Sequence, residues 1–268
     1  MTATTVLLLT ALLAPLSLKA QPDATSWDIL RQAIDDKNPD KRKQAVTAIG
    51  SIGLEPDVVK LVEHGLRDDD PIVRQTGAAE LGHMKSMTSI PALKAALDDP
   101  AAQVVFTAAR VLWELGDRSG EEVLQDVLLR QQKTSGGYVE GAVRDARAKL
   151  RSKKGLALMG VNEASGALLG PFSMGVIAVE NALKDTGAPG RILAAGLLAQ
   201  KCDSKNIEVL ETALRDEKNS SVKAAVAESI GKCGNKDDIP RLEVFLSNSN
   251  PALQYMSAAA IIKLTKQP

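Results

Sequence analysis

A pair of apolar residues at spacing i, i+4 recurs along the chain with a period of about 31: Leu30/Ile34, Val62/Leu66, Leu93/Leu97, Leu124/Leu128, Val179/Leu183, Leu210/Leu214 and Leu242/Leu246. The second members step by 32, 31, 31, 55, 31 and 32 residues. That spacing sets both side chains on one face of a helix. A second signal trails each pair by 15 or 16 residues, and once by 22. It is a small residue followed four positions later by an aliphatic, as in Ala45…Ile49, Gly77…Leu81, Ala108…Leu112, Val226…Ile230 and Ser257…Ile261. One such helix pair cannot bury its apolar face alone, so tandem pairs must stack. The expected fold is all-α: an α-solenoid of about seven helical hairpins over residues 27–265, with a helix A and a helix B in each and an irregular fourth repeat.

The turns between the two helices carry the matching chemistry. Asn38-Pro39, Asp70-Pro71, Asp99-Pro100 and Asn250-Pro251 each stand where helix B begins. Asn or Asp accepts the orphan N–H groups of the first turn, and proline at the first helical position forfeits no hydrogen bond. Ser220 or Ser221 is expected to serve in repeat six. Gly50, Gly82 and Gly231 recur late in helix B, and Gly53, Gly116 and Gly234 follow where a left-handed C-cap wants glycine.

These residues resemble HEAT-like repeats of the short bacterial type also found in phycobilisome lyases. The family pattern is an acidic turn, Val-Arg, a small-residue stretch, Ala-Leu-Gly, then an aliphatic before Gly-Asp. Asp69-Asp70-Pro71-Ile72-Val73-Arg74 with Leu81-Gly82 fits best, Val222-Lys223 with Ile230-Gly231 is close, and Lys41-Arg42 with Ile49-Gly50 is looser. The resemblance implies stacking of each turn Asp against a helix-B Arg. Arg74 and Lys223 suit that role, whereas Val105, Ile192 and Gln254 interrupt it. Glu80 stands where the family prefers Ala.

Two insertions break the period. Gln131–Gly137 lengthens the fourth hairpin and reads as a loop. A Gly-rich apolar insertion at about 152–172 separates repeats four and five. Gly155 to Val179 holds a single charge, Glu163, and the basic residues Arg144, Arg147, Lys149, Arg151, Lys153 and Lys154 precede it. With Phe172 they are candidates for membrane or partner contact, a basic collar before an interfacial segment. A Gly-rich loop covering the core, with the basic run as a solvated helix face, accounts for the same residues.

Residues 1–20 stand apart. Val6 to Leu18 is an apolar run of 13 residues, the length of a secretory h-region and short for a membrane span. Ala20 is the best cleavage position. This predicts a signal peptide and an exported, periplasmic or extracellular protein.

The chain offers little for chemistry. His64 and His83 have no second ligand at i+3 or i+4, so no metal site is expected. No phosphate loop, nucleophile–base pair or cofactor motif is readable, and the paired acids of the turns have a sufficient role as caps. Cys202 and Cys233 lie 31 apart at equivalent repeat positions. Equivalent positions on stacked helices sit roughly 8–10 Å apart, beyond the reach of a disulfide. Two buried small hydrophobes are expected, with a bridge possible if local twist closes the gap. Lys plus Arg and Asp plus Glu both number 33. With no cationic footprint, nucleic acid is not an expected partner.

The B helices are the natural binding wall. Phe106, Arg110 and Trp113 share one side of helix 3B, and Phe106 stands in a column continued by Tyr255. Aromatic and Arg clusters make interface anchors; packing beneath the fourth repeat is the competing explanation for the same residues. The expected function is a non-catalytic scaffold or adaptor at the cell envelope, with a protein partner of unknown identity. The alternatives are an enzyme or enzyme accessory resembling the HEAT-like chromophore lyases, and a membrane-surface scaffold.

Overall fold

A computed structural model describes residues 22–124 and 188–267. The expected leader at 1–20, the loop at 131–137, the insertion at 152–172, the basic residues Arg144 to Lys154 and Phe172 lie outside the described residues.

Every regular element among the described residues is helical. The chain forms α1 (Pro22–Ile34), α2 (Pro39–Gly50), α3 (Pro56–Gly65), α4 (Pro71–His83), α5 (Ile90–Ala95) and α6 (Ala102–Glu114). It continues with α7 (Ala188–Leu198), α8 (Ser204–Asp216), α9 (Ser220–Cys233), α10 (Ile239–Glu243) and α11 (Pro251–Thr265). The B helices of the hairpins are α2, α4, α6, α7, α9 and α11; the A helices are α1, α3, α5, α8 and α10.

Helix starts follow the turn chemistry. Asn38, Asp70 and Asn250 cap α2, α4 and α11 through their side chains, with proline next. Two starts differ from expectation. In repeat three Asp99 takes the Ala101 N–H at 2.8 Å, and α6 begins only after Ala101. In repeat six the cap is Asn219, which accepts from Ser221 and Val222 N–H. Of the three C-cap glycines, Gly53 and Gly116 have positive φ, 147° and 85°. Gly234 does not, at φ −76°. In repeat two the left-handed position falls to Lys85, at φ 55°.

Bidentate ion pairs join successive repeats. Arg42 donates Nε and Nη2 to Asp68, both at 2.6 Å, and Nη1 to the Asp36 carbonyl at 2.9 Å. Arg74 repeats this with Asp99, at 2.7 and 2.9 Å, and with the Asp68 carbonyl at 2.8 Å. Each guanidinium thus ties its own turn to the next one. Burial pushes the Asp68 carboxyl up, but Arg42 and the Asp70 N–H outweigh it and hold the group below the usual range. The row stops at Val105, as expected, while Ile192 is bypassed by its neighbour: Arg191 Nε donates to Glu217 at 2.8 Å between repeats five and six. Gln254 donates instead to the Leu246 carbonyl at 2.6 Å.

The B helices form one layer, in which α2 packs on α4, α4 on α6, α7 on α9 and α9 on α11. Late-helix glycines permit the closest approaches: a Cβ on Gly231 would lie 2.8 Å from the Ala260 Cα of α11. The layer does not end with α11. That helix also packs against α1 and α2, so the spatial order of B helices is α7, α9, α11, α2, α4, α6. The first and last repeats are neighbours. Composition explains why: α11 carries one charge, Lys263, and buries Ala252, Leu253, Tyr255, Met256, the whole run Ser257–Ile262, and Leu264. A helix apolar on all sides must be covered on all sides. At this seam Ser51 Oγ lies 3.5 Å from Met256 Sδ, and Lys263 Nζ donates to the Ser51 carbonyl at 3.2 Å. Trp27 of α1 has the Arg31 guanidinium 5.3 Å and the Lys266 ammonium 5.6 Å from its ring centroid.

Candidate functional site

Helix α6 holds Phe106, Arg110 and Trp113 because its opposite face is filled by Val104, Ala108, Val111 and Leu112. Phe106 is half-buried, and Trp113 is 43% exposed. Arg110 Nη1 donates to Glu114 at 2.6 Å, one turn along the helix. Past the Gly116 turn the chain returns, and Arg118 lays its guanidinium 3.5 Å from the Trp113 ring centroid. Sequence spacing missed Arg118, because its contact depends on that chain reversal and not on helical period. The cluster is an exposed indole under a cation, beside an exposed Arg–Glu pair, and it suits a surface that mixes apolar and charged groups.

Tyr255 does not join it. Its side chain is 5% exposed, in the seam beneath the turn from α1 to α2, and burial raises its hydroxyl pKa while Lys41 opposes the rise. The reading of Tyr255 as a partner-binding residue is corrected: α11 is covered by the first repeat, so its column is not part of an open wall.

A second cluster lies where the late ends of the B helices converge. Glu80 is 3% exposed, and its Oε2 is 2.8 Å from where a Gly50 Cβ would stand. A glycine at 50 is therefore what makes room for an acid at 80. His83 Nδ1 is 3.5 Å from the same oxygen. Burial lowers the imidazole pKa, but Glu80 outweighs it and the net shift is upward. On α9, Glu228 keeps its Oε2 closed off from solvent without a hydrogen-bond partner. Burial pushes that carboxyl up to about 7, Glu80 adds to the rise, and Lys263, His83 and Lys232 oppose it. Burial also lowers the Lys263 pKa. Repeats two, six and seven thus share one electrostatic centre. The sequence signal was present at Lys263, the lone charge of α11, and at Glu228, an acid inside a run of small buried residues.

His64 Nε2 lies 3.2 Å from Asp35 Oδ1 on the surface. Among the described residues no group of three or more His, Cys, Asp or Glu side chains could hold a metal, and no helix is long and apolar enough to cross a membrane. Cys202 and Cys233 are joined in a disulfide with Cα atoms 5.0 Å apart. The expectation of two buried small hydrophobes is corrected on both counts, since Cys202 is exposed and Cys233 half-buried. The repeat positions are not structurally equivalent. Helix α7 stops at Leu198, leaving Cys202 in a turn free to reach back, whereas α9 runs on to Cys233.

Among curated proteins none matches this chain. Two solved structures align along most of it. Human deoxyhypusine hydroxylase in complex with glycerol has 17% identity over 92% of this chain and 98% of that one, with a TM-score of 0.35. An engineered protein has 16% identity over 89% of this chain and 96% of that one, with a TM-score of 0.26. Neither overlay is close enough to carry an inference. The family model of HEAT repeats matches residues 11–79, 27–112, 63–146 and 178–264. Those stretches take in most of the sequence and contain the stacked helix pairs, their capped turns and their Arg–Asp ties, so the chain belongs to the HEAT-repeat family.

Proposed function

We propose that this protein is an exported, non-catalytic scaffold that binds another protein of the cell envelope through helix α6. The observation that carries the reading is the exposed Trp113 beneath Arg118, next to Arg110, Glu114 and Phe106. An indole held by a neighbouring guanidinium loses little freedom when a partner covers it, and Trp and Arg dominate binding energy at interfaces. Membership of a helical-repeat family fits a role in which a large modular surface does the work. Export is supported by the apolar segment Val6 to Leu18 and by a disulfide on the surface, which persists in oxidising compartments.

The test has two arms. Crosslinking in an envelope fraction, followed by titration of the purified partner, should give saturable binding that Trp113→Ala weakens by at least tenfold. Equal affinity in the variant removes α6 as the binding surface. Sequencing the amino terminus of the protein recovered from that fraction should place it just after Ala20, and an intact Met1 removes export.

A further inference from the structure

Repeats five and six are tied at both ends of their B helices. At the start, Arg191 Nε donates to Glu217 at 2.8 Å. Midway, Ser229 Oγ of α9 donates to the Ala195 carbonyl of α7 at 3.2 Å. At the finish stands the Cys202–Cys233 disulfide. Its two sulfurs are unlike in access. Cys233 is the last residue of α9 and half-buried, whereas Cys202 lies in the turn between α7 and α8 and is exposed. Lys201 and Lys232, each next to one of the cysteines, are exposed too, and Lys201 shares its charge with Asp203 at 3.2 Å. One carbonyl faces both sulfurs: the Ala199 oxygen is 3.7 Å from Cys202 Sγ and 3.3 Å from Cys233 Sγ. A disulfide has no hydrogen to offer that oxygen, and a thiol has one. The turn also holds its own shape without the bridge. Asp203 accepts the Asn206 N–H at 2.9 Å, and Asn206 Nδ2 donates to the Lys201 carbonyl at 2.8 Å. The surroundings of the bridge therefore suit the reduced pair as well as the oxidised one.

We propose that Cys202 is the entry point of a thiol–disulfide exchange site, at which a dithiol reductant unlocks the end of α7 from the end of α9. A thiolate of the reductant attacks the exposed Cys202 Sγ, where access is open and Lys201 adds positive charge nearby. A mixed disulfide forms at Cys202 as the Cys202–Cys233 bond breaks, and the electron pair leaves on the Cys233 sulfur, which takes up a proton. The second thiolate of the reductant then displaces Cys202, which is protonated in turn. The protein disulfide is reduced to two thiols and the dithiol is oxidised to a disulfide. The Ala199 carbonyl receives the new S–H donors. Only one tie is lost. Arg191–Glu217 and the Ser229 bond still join α7 to α9, so the two repeats loosen at one end and stay attached at the other. The oxidised form fixes the angle between repeats five and six, and the reduced form frees it.

The full chain tests this without any substitution. The folded protein is treated with dithiothreitol, and new thiols are counted over time by alkylation and mass spectrometry. The rate should lie within about tenfold of that for the same chain in concentrated urea, because the attacked sulfur is already open. A slower rate than that means the fold shields the bridge, and overturns the proposal. A short pulse of a monothiol, quenched with acid, should leave its mixed disulfide on Cys202. An adduct on Cys233, or equal adducts on both, overturns the entry point. Amide hydrogen exchange should then show the reduced protein losing protection by about tenfold across residues 198–206, with α2 and α4 unchanged. Equal protection before and after reduction, or a loss spread over α2 and α4 as well, would show that the bridge does not act as a local lock.

Discussion

Lys266, just past the last helix, donates to Glu55 at the start of α3 at 2.9 Å, across 211 residues of chain. Burial raises the Glu55 carboxyl, but the Lys266 ammonium outweighs it, so the net shift is downward. The pair marks the outer edge of the seam, and it separates two kinds of contribution. The ion pair is 40–43% exposed, whereas Ile262 and Leu264 behind it are fully buried.

Lys266→Ala should therefore cost at most about 1 kcal/mol, as exposed pairs do. Ile262→Ala should cost about 2–5 kcal/mol, because it leaves a cavity in a helix packed on every side. Urea denaturation of both variants checks the contrast. Equal costs would mean that the seam is held by its charged rim.

Arg74 makes two hydrogen bonds to Asp99 and two to turn carbonyls, with 13% of its side chain exposed. Arg74→Ala strands a carboxylate that is 8% exposed, at an expected cost of about 2–3 kcal/mol. Arg74→Lys should recover less than half of that, because an ammonium cannot reproduce the planar fork. A lysine variant with wild-type stability would show that charge alone is sufficient.

The Cys202–Cys233 bridge closes a loop of 31 residues around α8. Replacing both with Ser should cost about 2–4 kcal/mol on the chain-entropy account. The loss should appear in α7, α8 and α9 and not in α3 or α4, since repeat arrays transmit strain chiefly to their neighbours. Peptide-resolved exchange in oxidised and reduced protein reads this directly.

Stability should peak at mildly acidic pH. Glu228 titrates at about 7 in the fold against 4.5 as a free carboxyl, so its contribution is complete below 4.5 and is lost as pH rises through 7. The loss is about 3 kcal/mol from that group alone. His83 is also raised, so its share is present below 6.5 and lost above its folded value. Asp68 and Glu217 are held low, so theirs is present above the ordinary carboxylate range and lost as pH falls. The maximum should fall between about pH 4.5 and 6.5. Denaturation midpoints at pH 3, 5.5 and 8 check the order, and Glu228→Gln should stabilise the protein at pH 8.

Much of the architecture was legible because it is local. The i, i+4 pairs, the Asn-Pro and Asp-Pro starts and the late glycines each report on one helix or one turn, and α2, α4 and α11 begin where those residues stand. What escaped was the relation between distant units. The 31-residue period says that neighbours stack, and it is silent on whether the last unit finds the first. Tyr255 was misplaced for that reason, as a column residue on a wall that α1 and α2 in fact cover. The apolar run Ala258 to Ile262 was the available clue. The disulfide escaped because equal spacing in sequence was read as equal position in space, while α7 ends four residues before its cysteine. Arg118 and Glu228 acquire their meaning only from chain reversal and curvature.

The seam also sets an order of events. α11 follows every other described helix along the chain, and it is the one that covers α1 and α2. A growing chain can assemble hairpins as they emerge, but the apolar flanks of α1 and α2 stay uncovered until Pro251–Thr265 arrives. The first described hairpin is therefore completed only once a helix distant in sequence has been made, and deletion of Pro251–Thr265 removes its cover.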